Sequence, residues 1–335
     1  MSLVSGSTAT LQKSNRFSTS PSTRTETVCS SSRHQKIRMQ APLEQGSMTA
    51  HHLASQGIES VDDWNARLAQ RTAEKEETNR IVLSPDTPGE DKMHAQCKYI
   101  FKYRKTMFSC PHCWLLPGLC LCSRLAKVTT QCKMVVHVHF LEWGKASNTG
   151  SVIGVAVNDC EVLMKGLKEH DVRMKELFQD KSVTTAVLWP GDNSITPSEL
   201  KKIAEERSEG RIAVIAVDAT WGNALRMKTS YPPDTLYVKL TPESAIISEQ
   251  QRSLLAPVRK YRGDYENNAR VSTLEAVASL LYELEGSNET RQALLGNLKM
   301  KVDTCLIQKN RNTVYGTLTA EDFLQKKVEA VVMCS

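Results

Sequence analysis

Continuous apolar runs recur along the second half of the chain. Residues 134–141, 184–189 and 212–217 each form such a run, and residues 236–240 form a shorter one. Runs of this length without polar alternation are typical of strands that are buried on both faces of a parallel sheet. We therefore expect four parallel strands, separated by stretches with helical periodicity.

Helix-start signals lie between and after these runs. Residues 196–199 (Thr-Pro-Ser-Glu) form a capping box with proline at the first helical position, and Gly210 ends the predicted helix. Residues 272–275 (Ser-Thr-Leu-Glu) form a second capping box, whose helix ends before Gly286. A last helix is expected over residues 289–301. This alternation indicates an α/β fold, a buried parallel sheet with helices on both faces.

The N-terminal region has a different composition. The first forty residues are rich in serine and threonine and carry six basic residues against one acid, Glu26. Two interpretations remain open, a disordered tail and an organellar transit peptide. A polar helix is expected over residues 58–77, with Trp64 and Leu68 on one side, followed by a Pro/Gly-rich linker at residues 84–89.

Composition and charge exclude several classes of protein. The 335 residues carry 43 Lys and Arg against 37 Asp and Glu, a net charge of +6 that suits local contact with nucleic acid. No apolar run approaches the roughly 20 residues that span a bilayer, so no membrane protein is expected. Ten cysteines in 335 residues are too few for a disulfide scaffold, and no signal-peptide core precedes them. An intracellular protein is expected, in the cytoplasm or nucleus, with mitochondrion or plastid as the alternative if the basic N-terminus is a transit peptide.

Four cysteines lie within thirteen residues. Cys110 and Cys113 form a CxxC pair, and Cys120 and Cys122 form a CxC pair six residues later. Four thiolates in two tight pairs match the tetrahedral coordination of Zn²⁺, and because no position is left open the ion would be structural. His112, inside the first pair, is an alternative ligand. The alternative interpretation is that the four cysteines are buried core residues that lie close in sequence by coincidence and bind no metal.

Polar loops follow three of the predicted strands. The run at 212–217 is followed by Asp218 and Thr220-Trp221. The run at 184–189 ends in the loop from Trp189 to Asp192, and the first run is followed by the loop at residues 139–150. Ligands bind beyond the carboxyl ends of strands in open α/β sheets. Asp218 is therefore a candidate base or ligand-holding carboxylate, although it could equally cap the helix that follows.

The absence of several well-known motifs disfavours other enzyme classes. The chain has no GxxxxGK[ST] loop, no GxGxxG after a strand and no GxSxG elbow, which disfavours P-loop NTPases, dinucleotide-binding enzymes and α/β-hydrolases. Two basic clusters interleaved with tyrosines suggest a phosphate-backbone surface, and the alternative is an ordinary solvated face. Their members are Lys102, Arg104, Lys105, Arg259, Lys260, Arg262 and Arg270.

Together these segments resemble the DTW-domain family over about residues 97–308. The elements that carry the resemblance are, in order, the cysteine pairs, Glu142 with Ser147-Asn148-Thr149-Gly150, Trp189-Pro190-Gly191, Asp218-Ala219-Thr220-Trp221 and Ser272-Thr273-Leu274-Glu275-Ala276. Phe140 departs from the family pattern, which has proline after the histidine. The first ninety-odd residues lie outside the resemblance.

The resemblance implies an activity and a fold. Members of the DTW-domain family are similar to the SPOUT RNA-modifying enzymes, so a SPOUT-like sheet is expected. Such a sheet can contain a trefoil knot, which is rare in proteins and leaves no sequence pattern. The implied reaction transfers the 3-amino-3-carboxypropyl group of S-adenosylmethionine to N3 of a tRNA uridine and releases methylthioadenosine. Asp218 with Thr220 and Trp221 would form the catalytic element. The donor would be bound by Asn148, Thr149, Gly150, Trp189, Pro190, Gly191, Asp192, Ser272, Thr273 and Leu274.

The expected organisation follows from these assignments. Residues 1–57 form the disordered or targeting segment, 58–96 the polar helix and linker, 97–132 the zinc-binding lobe, 133–310 the transferase domain and 311–335 a C-terminal extension. The partner would be tRNA, with no membrane contact, and the sequence does not decide between monomer and homodimer. Two rival functions are a SPOUT-type RNA methyltransferase and a non-enzymatic zinc-containing RNA-binding protein.

Overall fold

The computed structural model describes residues 58, 60–104, 109–245, 253–259, 271–319 and 321–323. The predicted N-terminal segment, residues 1–57, lies outside the described residues. Within the described part of the chain, no helix is long and apolar enough to cross a membrane.

A five-stranded parallel sheet forms the centre of the fold. Its strands lie in the order β2-β1-β4-β3-β5. Four of them confirm the predicted apolar runs, and all four ladders between neighbours are parallel. The strands are β1 (Lys133–His139), β2 (Cys160–Lys165), β3 (Thr184–Leu188), β4 (Ile212–Asp218) and β5 (Leu236–Val238).

Helices cover both faces of this sheet and also precede it. The two before the sheet are α1 (Val61–Leu83) and α2 (Gly89–Tyr103). Between and after the strands lie α3 (Gly150–Ala156), α4 (Lys168–Gln179), α5 (Pro197–Ser208), α6 (Trp221–Lys228), α7 (Pro242–Ala245), α8 (Thr273–Glu285) and α9 (Asn288–Ile307). Short 3₁₀ turns occupy Pro117–Leu119 and Ala256–Val258.

Alternation along β1 separates two apolar cores. Met134, Val136 and Val138 pack on the first face with α3, α5, α8 and α9. Val135 packs on the second face with α4 and Tyr231. Strand connections that move toward the β2 edge of the sheet pass over its first face, and connections that move toward the β5 edge pass over its second face. All of these crossovers therefore have the same handedness, as expected for parallel sheets.

Both predicted capping boxes are confirmed. Thr196 and Glu199 exchange hydrogen bonds at the start of α5, and Ser272 and Glu275 do so at the start of α8. Gly286 ends α8 in the left-handed conformation that glycine adopts without steric cost. These local signals fix helix boundaries because they satisfy backbone donors that the first turn leaves unpaired.

Other parts of the chain differ from the expectation. β2 was not predicted, because its polar ends mark it as an edge strand that is only partly buried. The predicted boundary between residues 96 and 97 falls inside α2, whose buried Cys97 lies against Lys165 at the end of β2. The last helix continues six residues past the predicted end because Val302, Cys305 and Leu306 are buried there.

The described part of the predicted C-terminal extension packs onto the domain. Buried Asp303 of α9 accepts hydrogen bonds from the backbone N–H groups of Val314, Tyr315 and Thr317 at 2.9–3.0 Å. The Tyr315 hydroxyl donates to the Leu254 carbonyl at 2.6 Å. Residues 314–317 are therefore an integral part of the domain surface.

Candidate functional site

The candidate site is the carboxyl edge of the sheet between β1 and β4, and we call this region the crevice. These strands are neighbours, but the chain leaves β1 toward α3 on the first face and leaves β4 toward α6 on the second. This is the topological switch point at which open α/β sheets bind ligands. The sequence predicted the strand ends, but not that β1 and β4 are adjacent.

Asp218 bridges the two sides of this crevice. It is the last residue of β4, is 7% exposed, and its Oδ2 accepts a hydrogen bond from the Gly150 N–H at 2.8 Å. A Cβ at position 150 would lie 2.2 Å from that oxygen and 2.7 Å from Val136 Cγ1. Only glycine allows the first turn of α3 to approach the carboxylate this closely.

The surroundings of Asp218 adjust its proton affinity. Burial raises the pKa of Asp218 to about 6, opposed by the hydrogen bonds from Gly150 and the Asn148 side chain. Nearby Glu142 raises this pKa further, and Lys145 lowers it. A carboxylate with a pKa close to neutrality can both accept and return a proton, as a general base requires.

Asp218 does not cap the helix that follows it. The N-cap of α6 is Thr220, and no side-chain cap bond forms there among the described residues. The alternative interpretation of Asp218 as a helix cap is therefore wrong. Thr220 and Trp221 are both exposed at the mouth of the crevice.

The loop before α3 connects the crevice to α8. Asn148 Oδ1 accepts from the Ser151 N–H in the first turn of α3 at 3.0 Å, and Thr149 Oγ1 accepts from the Leu274 N–H at 3.4 Å. Ser272, Thr273 and Leu274 thus lie beside the Asn148–Gly150 loop. The structure brings these six predicted donor-binding residues together, although Ser272 lies 122 positions after Gly150 in sequence.

Two tryptophans stack beside the crevice. The Trp189 and Trp221 ring centroids are 5.2 Å apart and the rings are 16° from parallel. Trp189 is 5% exposed, whereas Trp221 is 44% exposed, and Lys228 Nζ lies 5.2 Å from the Trp189 centroid. The adjoining Pro190, Gly191 and Asp192 are exposed. This pair presents a planar aromatic surface at the crevice mouth.

Charged residues outside the predicted site set also line this edge. Glu142 and Lys145 form a partly buried ion pair at 2.6 Å. His139 ends β1, and burial lowers its pKa, an effect that Glu142 opposes and Arg226 reinforces. Arg226 lies on α6, so only the fold brings it near His139.

The four cysteines predicted to bind zinc converge. Their sulfurs all lie within 4.8 Å of one another. Cys110 Sγ is 3.6 Å from both Cys122 Sγ and Cys120 Sγ, and Cys113 Sγ is 3.7 Å from Cys120 Sγ. Sulfurs about 2.3 Å from one tetrahedral Zn²⁺ are about 3.8 Å apart, so the cluster fits this ion. His112, the alternative ligand, is exposed and does not belong to the cluster.

A lysine of α9 contacts this cluster. Lys301 of α9 is 0% exposed, and its Nζ donates to the carbonyl oxygen of Cys113. A Zn²⁺ held by four thiolates would carry a net charge of −2, which the Lys301 ammonium group would offset in part. The contact also joins the cysteine lobe to α9.

The structure describes only three of the predicted RNA-contacting residues. Lys105, Lys260, Arg262 and Arg270 lie outside the described residues. Lys102 pairs with Glu74 of α1 at 2.5 Å. Arg104 is half-buried and donates to the Ser109 carbonyl at 2.9 Å, just before the cysteine cluster. Arg259 follows the 3₁₀ turn at Ala256–Val258.

Comparisons with known proteins agree with the resemblance seen in the sequence. A family model described as the DTW domain matches residues 107–306, three-fifths of the chain. Comparison with curated proteins and with solved structures gave no match. The matched region includes the cysteine cluster, all five strands and the crevice.

Proposed function

The chain belongs to the DTW-domain family, the family of tRNA-uridine aminocarboxypropyltransferases, and we propose that it modifies tRNA by that reaction. In the proposed reaction the 3-amino-3-carboxypropyl group passes from S-adenosylmethionine to N3 of a uridine. A C–N bond forms at N3, the C–S bond of the sulfonium breaks, methylthioadenosine leaves and the N3 proton is released. The family establishes tRNA modification as the general role of the chain, and the specific transfer is our proposal.

One observation carries the proposal, the buried Asp218 carboxylate at the β1/β4 switch point. Uridine N3–H is weakly acidic, so its proton needs an acceptor close to the reacting nitrogen. Asp218 has a pKa of about 6 and is therefore largely ionised at neutral pH. We assign it the role of accepting the N3 proton, while its bond to Gly150 keeps the carboxylate oriented.

The residues around the crevice fit the donor. When bound, S-adenosylmethionine supplies an electrophilic carbon next to its sulfonium. The loop at residues 189–192, which begins at the buried Trp189, suits the adenosine part of the donor. The amino end of α8, at Ser272 to Leu274, carries the positive end of a helix dipole, which suits the methionine carboxylate. Asn148, Thr149 and Gly150 close the same side.

Exposed groups at the crevice mouth suit the RNA. Trp221 offers a ring face on which an unpaired base can stack, a common mode of single-stranded RNA recognition. Thr220 adds a hydroxyl beside it. Arg226 and Lys228 on the same helix supply positive charge toward phosphates. The distant basic residues from Lys102 to Lys105 and Arg259 to Arg270 remain further proposed contacts.

Analysis of the by-product tests the proposal. Purified protein is incubated with S-adenosylmethionine and unmodified tRNA, and nucleosides and small molecules are identified by mass spectrometry. We expect aminocarboxypropyluridine and methylthioadenosine in equal amounts. Adenosylhomocysteine with a methylated nucleoside would instead identify an RNA methyltransferase. Retention of tRNA with neither product would identify a binding protein.

A further inference from the structure

The two capping boxes of the fold differ in the burial of their glutamates. Glu199, at the start of α5, is exposed, and its side chain accepts hydrogen bonds from Thr196. Glu275, at the start of α8, is 0% exposed, and its carboxylate also accepts from residues 21 and 22 positions earlier in the chain. Because burying a carboxylate is costly and capping a helix does not require it, Glu275 has a role beyond the cap.

The additional bonds of Glu275 go to residues 253–258, which we call the strap. The Ser253 hydroxyl donates to Glu275 Oε2 at 2.6 Å, and the Leu254 N–H donates to Oε1 at 2.6 Å. The Ser272 N–H donates to the same Oε2 at 2.5 Å. One buried carboxylate therefore sets the position of the strap relative to the first residue of α8 that we assign to the donor.

The segment after α9 holds the strap from a second direction. The Tyr315 hydroxyl donates to the Leu254 carbonyl at 2.6 Å, and Arg311 donates to the Pro257 carbonyl at 3.2 Å. The Tyr315 N–H is in turn bonded to Asp303 of α9 at 3.0 Å. The strap is thus hydrogen-bonded both to the start of α8 and to the chain that follows α9.

These bonds continue into the crevice. The Leu274 N–H in the first turn of α8 donates to Thr149 Oγ1 at 3.4 Å, and the adjoining Gly150 N–H donates to Asp218 at 2.8 Å. The strap, the start of α8 and the Asn148–Gly150 loop therefore form one connected hydrogen-bonded unit. Residues that bind a ligand depend on such supporting bonds for their exact placement.

From these contacts we propose that Glu275 and Tyr315 are positioning residues for S-adenosylmethionine binding. They hold the strap and the amino end of α8 in the arrangement that binds the donor, and neither touches the reacting atoms. The inference rests on the proposed function for the place of the donor site. It does not depend on which carbon of the donor is transferred.

Three variants each remove a different part of this support. Glu275→Gln keeps one acceptor oxygen, so its amide NH₂ must face the N–H of Leu254 or Ser272. Ser253→Ala removes one bond to Glu275 and leaves the capping box of α8 intact, and Tyr315→Phe removes the bond to Leu254. We expect the Kd of S-adenosylmethionine, measured by calorimetry, to rise at least ~10-fold in Glu275→Gln and about 3–10-fold in the other two.

Steady-state kinetics separate positioning of the donor from general damage to the enzyme. The three variants leave Asp218 in place, so the rate at saturating S-adenosylmethionine and tRNA should stay close to that of the unmodified protein. The KM for S-adenosylmethionine should rise in parallel with its Kd. A loss of maximal rate with an unchanged KM would contradict a role in donor binding.

Two control variants remove comparable bonds elsewhere. Glu199→Gln weakens the capping box of α5, and Tyr231→Phe removes the hydroxyl that lies 2.8 Å from His137 Nδ1 on the other face of the sheet. Both should bind S-adenosylmethionine as the unmodified protein does, whatever the change in melting temperature. If Ser253→Ala and Tyr315→Phe lose stability but also bind the donor normally, the strap serves folding alone and the inference is overturned.

Binding of S-adenosylmethionine to the unmodified protein separates this inference from the proposed function. If the unmodified protein does not bind the donor, the donor site itself is wrong and both proposals fail. If the unmodified protein and the three variants bind equally, only the positioning role fails. Adenosylhomocysteine as the by-product, with weakened donor binding in the variants, would contradict the transfer proposal and support the positioning role.

Discussion

The Gly150 N–H donates to Asp218 Oδ2 at 2.8 Å, which joins the start of α3 to the end of β4 across the candidate site. The bond fixes the loop that carries Asn148 and Thr149 and orients the one buried carboxylate that we propose as a base. The close approach at Gly150 and the raised pKa of Asp218 each predict a measurable effect.

Gly150→Ala should disturb this arrangement. The added Cβ would lie 2.2 Å from Asp218 Oδ2, so the carboxylate or α3 must move. We expect a loss of about 1–3 kcal/mol in the free energy of unfolding and a clear loss of transfer activity. Gly296→Ala in α9 is the matched control, because its Cβ meets no atom within 4 Å. If Gly150→Ala unfolds no more readily than Gly296→Ala, position 150 tolerates a side chain and the close approach has been misjudged.

The pKa of Asp218 makes stability depend on pH. Burial raises it from 3.8 to about 6, so the folded state binds the proton more tightly than the unfolded state. The contribution to stability is present below pH 4 and is lost as pH rises through 6. Asp218→Asn removes this loss. We therefore expect the stability of the Asn variant relative to the unmodified protein to increase from pH 4 to pH 8, measured by denaturant unfolding. A pH-independent difference would contradict the raised pKa.

The same group predicts the pH dependence of turnover. A protonated carboxyl cannot accept the uridine proton, so the rate should fall as pH drops through about 6 and level off above it. The measurement is initial rate against pH with saturating donor and tRNA. A rate that is flat from pH 5 to 8 would exclude Asp218 as the base.

The local parts of this fold could be predicted from sequence, whereas its long-range parts could not. The capping boxes at Thr196 and Ser272 act through bonds within four residues, so sequence predicted both helix starts. The strand β2 escaped prediction because polar Glu161 and Lys165 interrupt its apolar run, as suits an edge strand. The adjacency of β1 and β4 depends on the whole topology, and no local pattern contains it.

The candidate site shows the same division. Asp218 was identified from its place after an apolar run, and the cysteine cluster from its spacing. The bond to Gly150, the stacking of Trp189 on Trp221 and the approach of Arg226 to His139 join residues more than thirty positions apart. Asp303 was not identified at all, because its partners at residues 314–317 lie in a segment that sequence placed outside the domain.

Zinc should be required for the stability of the cysteine lobe. Cys113→Ser or Cys120→Ser removes one of four ligands, and because metal binding is coupled to folding the melting temperature should fall by at least about 5 °C. Cys160→Ser, a half-buried cysteine of β2 outside the cluster, is the control. Elemental analysis should give one zinc per chain for the control and less for the ligand variants. Well under one zinc in the unmodified protein, with four reactive thiols, would refute a zinc site.

Asp303 should hold the segment at residues 314–317 in place. Asp303→Ala leaves three backbone N–H groups without their acceptor, and we expect a loss of at least about 3 kcal/mol in the free energy of unfolding. Proteolytic cleavage after α9 should accelerate in parallel. Glu206→Ala, an exposed acid on α5, serves as the control and should change neither quantity. Unchanged cleavage in Asp303→Ala would show that other contacts hold the segment.

The most direct test of the proposed function is the single-turnover rate of Asp218→Asn with saturating S-adenosylmethionine and tRNA. Asparagine can still accept the Gly150 bond but cannot take a proton at neutral pH. We expect donor binding and melting temperature close to those of the unmodified protein and a rate reduced by at least about a hundredfold. Formation of aminocarboxypropyluridine by the Asn variant at close to the normal rate would contradict the assignment of Asp218 as the base.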